Sequence, residues 1–156
     1  MKPIMHKKEL MENNDIWNAV ITVLSESDQT TRDTVLHEAT IVFQYYTELE
    51  SGGHESLLYW AESYIKKVGI DGYVSELVAI LEKMGAHGYA VIESNYAQEL
   101  WRLYISLESN DSNEKEFLEV IKKADDEYHG LHRKLDDLLE RYFIHIHTEL
   151  IEVVEE

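Results

Sequence analysis

Apolar residues recur along this chain at helical spacing, in blocks separated by glycines or short polar runs. Ile16, Trp17, Val20, Ile21 and Leu24 predict a first helix over Asn14 to Ser25, with Asn14 and Asp15 as cap residues. Thr30 or Thr31 is placed to cap a second, whose stripe is Val35, Leu36, Ala39, Phe43, Tyr46 and Leu49 and whose stop is Ser51-Gly52-Gly53. Leu57, Leu58, Ala61, Tyr64, Ile65 and Val68 predict a third from about His54 to Val68, with Gly69 where a C-terminal cap would be. Val74, Leu77, Val78, Ile80, Leu81 and Met84 fill a fourth between Gly72 and Gly85, apolar enough to belong near the centre. A fifth, Ala86 to Leu107, carries Tyr89, Ala90, Ile92, Tyr96, Ala97, Leu100, Trp101, Tyr104 and Ile105 before the polar run Glu108 to Asn113. A short segment with Phe117, Leu118, Val120 and Ile121 follows. The last element then runs from about Asp125 through Leu131, Leu135, Leu138, Leu139, Tyr142, Ile146 and Leu150 to Val154, with Gly130 as a kink near its start.

This pattern predicts an all-α fold: an N-terminal extension over 1–13, then one helical domain over 14–156 with about six or seven helices and a long C-terminal helix. Its 156 residues, 44% hydrophobic, are enough for a sizeable core. No window approaches the length of a membrane-spanning apolar run, and Glu9 and Glu12 interrupt the place where a secretory signal would be apolar. The expectation is a cytoplasmic protein away from the membrane, and the absence of cysteine suits a reducing compartment.

Charge changes the picture most. Asp and Glu number 31 against 14 Lys and Arg, a net charge of −17. Phosphate binding needs Lys and Arg, so direct contact with nucleic acid is excluded on electrostatic grounds, while a basic protein surface is attracted. The same excess also suits nothing more than a well-solvated surface.

Catalytic signatures are missing: there is no Walker loop, GxGxxG, GxSxG or HExxH pattern, and no thiol nucleophile. No catalytic residue, cofactor or metal is therefore assigned. His129 and His132 are spaced with Asp125 and Asp136 so that one helical face would gather them, but exposed histidines pairing with acids explain the pattern better. His145 and His147 point to different faces. The aromatic stripe Tyr89, Tyr96, Trp101 and Tyr104 reads as core; Tyr45, Tyr46 and Trp60 are ambiguous, and an exposed one would argue for an interface.

The Ser51-Gly52-Gly53 turn, the segment Leu81-Glu82-Lys83-Met84-Gly85-Ala86 leading into Tyr89-Ala90-Val91-Ile92, and Asp125-Asp126-Glu127-Tyr128 with Leu135, Leu138, Leu139 and Tyr142 resemble the bacterial DNA-mimic proteins of the DMP type, over roughly residues 14 to 147. In that family the glycine pair is usually followed by Phe-x-Gln; here His54, Glu55 and Ser56 follow. The resemblance implies a helical, often dimeric protein whose carboxylates imitate duplex phosphates and occupy the DNA-binding surface of a basic regulator or nucleoid protein. Carboxylates three or four residues apart on a helix step by roughly 5 to 6 Å, and two such rows would imitate two strands. By charge alone the candidate partner-binding residues are Glu116, Glu119, Asp125, Asp126, Glu127, Asp136, Asp137, Glu140, Glu149 and Glu152. The rival reading is an immunity or antitoxin protein that neutralises a basic nuclease toxin by the same complementarity.

Overall fold

The computed structural model describes residues 2–26, 33–109, 111–132 and 134–155, with only the backbone of residue 111. It is all-α, with six α-helices among the described residues: α1 (Asn13–Ser25), α2 (Thr34–Val68), α3 (Ile70–Lys83), α4 (His87–Ser106), α5 (Glu114–His129) and α6 (Lys134–Leu150). Two three-residue strands, β1 (Ile4–His6) and β2 (Glu152–Val154), pair in parallel with Ile4 opposite Glu152. The chain divides into two compact units, residues 1–43 with 136–156, and residues 44–135.

In the first unit, α1 starts on a reciprocal cap: the Glu12 backbone N–H donates to Asp15 at 3.2 Å while Glu12 in turn receives the backbone of Asp15. The start of α2 is held by Asp33, whose carboxylate accepts the Leu36 N–H at 3.0 Å. Thr30 and Thr31, the expected caps, lie outside the described residues. Val20, Leu24, Ile41, Val42, Leu139, Phe143 and Ile146 are buried here, and Trp17, Phe43 and Phe143 meet ring to ring. The segment read as an N-terminal extension forms β1 and a 3-10 turn, Lys7–Leu10, that buries Leu10. The tail, expected to continue the last helix to Val154, leaves it at Leu150 for β2. Ile151 is fully buried there, and such a short strand has no apolar period by which to announce itself.

In the second unit α4 packs against both α3 and α5. Leu58, Leu100, Leu103, Phe117, Ile121 and Ala124 form one cluster, with Tyr96, Trp101 and Tyr104 packed on its edge. The turn between α3 and α4 is a Schellman closure: the N–H groups of Gly85 and Ala86 donate to Glu82 and Leu81, and Gly85 takes φ +84°. The expected single helix from Asp125 onwards is broken. α5 ends at His129, and His132 has φ +57° before α6 begins. Tyr89 bridges that break, its hydroxyl accepting the Leu135 N–H at 3.1 Å.

Candidate functional site

The stop expected at Gly52-Gly53 is a sharp break inside α2. Gly53 has φ +72° and ψ −161°, a conformation essentially restricted to glycine. A Cβ there would sit 2.5 Å from Asp125 Oδ2, so the missing Cβ that permits the bend also makes room for a carboxylate from α5. That carboxylate satisfies the helix end created by the break: the His54 N–H donates to Asp125 Oδ1 at 2.9 Å.

The His54 side chain completes the junction. Its Nδ1 lies 2.7 Å from Asp125 Oδ1 and its Nε2 2.8 Å from Glu93 Oε2, on α4. With a carboxylate on each side, both ring nitrogens act as donors and the ring is an imidazolium. Burial by itself would lower its pKa; the charge of Glu93, and hydrogen bonds to Asp125 and Glu93, overcome this and raise it to about 9. Tyr45 donates to the same Glu93 oxygen at 2.7 Å, and its own pKa is pushed far up by burial and by Glu93. His54 is 1% exposed and Glu93 0%, so both stand in the core. The cluster ties the α2 break, α4 and α5 together.

Tyrosine hydroxyls hold further carboxylates of this unit. Tyr64 donates to Glu76 at 2.7 Å, Tyr104 to Glu62 at 2.8 Å, Tyr128 to Glu50 at 2.8 Å, and Tyr96 to Glu127. Burial and then Glu62 push the Tyr104 pKa up to about 12, and burial moves Tyr64 and Tyr128 the same way, aided by Glu76 and Glu50 respectively. A neutral donor fixes a carboxylate without cancelling its charge, unlike an ion pair. From Asp33 to Ile65 the sequence contains no Lys or Arg at all.

The carboxylates predicted from charge separate into several roles. Asp125 is half-buried and committed to His54. Glu116, Glu119, Asp126 and Glu127 are exposed on α5. Glu116 lies 4.0 Å from Arg102, and Asp126 pairs with Lys122 at 2.7 Å, so the α5 row is interrupted by cations. Asp136 and Asp137 are exposed in the first turn of α6, where carboxylates favour the helix end. Glu140 is half-buried, and Glu149 and Glu152 are exposed on α6 and β2. The histidine spacing fails because α5 ends between His129 and His132. Among the described residues no group of three or more His, Asp or Glu side chains is arranged to hold a metal ion.

A profile of the DMP19-like protein family matches residues 33–147. The chain belongs to that family. No curated protein and no solved structure matches it. The DMP19-like span takes in the whole of α2 to α5, the His54 cluster and every tyrosine-held carboxylate above, and ends within α6; β1, α1 and β2 lie outside it. Among the described residues of this DMP19-like chain, no helix is long and apolar enough to cross a membrane.

His54 and Glu93 are the site residues that sequence reasoning missed. A signal was present: Glu93 falls four residues after Tyr89 and four before Ala97, squarely on the buried stripe, and His54 stands four before Leu58. A charged residue in a core position demands a buried partner, though it does not say which.

Proposed function

We propose that this DMP19-like protein is an acidic, DNA-mimic-like binding protein, without catalytic activity, that occupies the DNA-binding surface of a basic regulator or nucleoid protein. The observation that carries this reading is the set of carboxylates held by tyrosine hydroxyls, of which Glu62 is also paired with Lys66. Duplex phosphates are fixed in space and strongly negative; a carboxylate on a free side chain matches the charge but loses conformational entropy on binding. Glu127 on Tyr96 and Glu50 on Tyr128 are exposed carboxylates fixed beforehand, and their charge is intact. Family membership and the net charge of −17 support the same reading.

The mechanism is competitive exclusion. Exposed carboxylates speed encounter with a basic partner and are screened within about 8 to 10 Å at physiological salt, so affinity falls steeply as salt rises. The test is capture from a lysate of the source organism at low salt, elution with a salt gradient, and identification by mass spectrometry. Recovery of a DNA-binding protein at moderate salt supports mimicry. A nuclease toxin would instead establish the immunity reading, and a partner retained at high salt would contradict both.

A further inference from the structure

Tyr59 and Trp60 are each 63% exposed, and they form the one sequence-adjacent pair among the exposed large hydrophobic residues of the described structure. Their rings touch edge to face, with centroids 5.1 Å apart and an interplanar angle of 87°, which leaves ring face open to solvent. Both stand on α2 beyond the Gly53 break, where the backbone is held: Gln44 donates to the Trp60 carbonyl at 3.4 Å. A helix that buries Leu57, Leu58, Ala61, Tyr64 and Ile65 has turned its two largest neighbouring side chains outward.

The charges around the pair select what covers it. Glu55 and Glu62 stand one turn before and after Tyr59 on the same helix, and Tyr104, which holds Glu62, also feels Glu108 and Tyr59. Lys66 is the nearest cation in sequence, and it is already paired with Glu62 at 2.9 Å. Open aromatic faces beside carboxylates suit a guanidinium or ammonium group, which gains ring contact and charge together. A second copy of this chain would bring its own excess of negative charge to the same place.

We propose that the Tyr59–Trp60 face is the contact surface for an arginine-rich segment of a protein partner. This rests on the binding reading above and deepens it by naming where the partner's cations go. The test is calorimetric titration of the full chain with a nine-residue arginine peptide at low salt, comparing wild type with the Tyr59→Ala/Trp60→Ala double variant. The exposed positions leave the fold intact, which far-UV circular dichroism checks. The double variant is expected to bind about tenfold more weakly. Equal binding by both proteins would overturn the aromatic face while leaving the carboxylate reading standing; no binding by wild type would sink both. Sedimentation showing a wild-type dimer that the double variant dissolves would overturn the proposal in favour of a self-association face.

Discussion

At the centre of the first unit Phe143 lies 5.2 Å from Trp17 and 6.0 Å from Phe43, ring centroid to centroid, and is fully buried. At the corresponding depth of the second unit stand His54 and Glu93, bound to Asp125 and Tyr45. The first centre is held by packing, which is indifferent to pH and tolerant of volume-conserving change. The second is held by an imidazolium whose two carboxylate partners arrive from two other helices, so it is specific, unforgiving of single deletions and sensitive to protonation. An acidic protein poor in cations thus spends a histidine where its own carboxylates converge, and neutral tyrosines elsewhere.

The sharpest way to break this contrast is Glu93→Leu, which leaves the His54 charge and the Tyr45 hydroxyl without their shared acceptor. It should cost about 4 kcal/mol in urea-induced unfolding. Phe143→Ala should cost about 3 kcal/mol by removing a fully buried ring from the first unit, with the pH dependence of stability unchanged from wild type.

That pH dependence is the next largest effect. His54 is raised from 6.5 to about 9 on folding, so its contribution is fully present below pH 6.5 and is lost as pH rises through 9. Denaturation midpoints between pH 6 and 9.5 should record a loss of about 3 kcal/mol, and His54→Gln should flatten the curve. Gly53→Ala should cost about 2 kcal/mol, from a strained positive φ and from the push against Asp125. Tyr96→Phe is the smallest, a slight loss of stability for one exposed hydrogen bond. It should nonetheless weaken partner binding, because Glu127 is then no longer held in place.

Helix existence was legible because apolar spacing reports burial, and Gly53, Gly69 and Gly85, all at positive φ, stand where the pattern breaks. The facing of α2 was less so: Tyr45, Ile41 and Val42 are fully buried where Tyr46, Val35 and Leu36 were expected, because that helix packs on more than one stripe. Val68, expected inward, is 41% exposed at the helix end. Of the candidate carboxylates, sequence reasoning found Asp125 by charge, but its role depends on His54, 71 residues away. Local periodicity carries no information about such a pairing. The tyrosine partners of Glu50, Glu62, Glu76 and Glu127 were hidden for the same reason.

On the proposed reading this surface competes as duplex DNA does, and not merely as a polyanion. The measurement that tests it most directly is displacement of a captured partner at fixed ionic strength by a short DNA duplex and by polyglutamate of equal total charge. Duplex DNA is expected to release the partner at concentrations where polyglutamate leaves it bound. Equal release by the two, or release by neither, would contradict it.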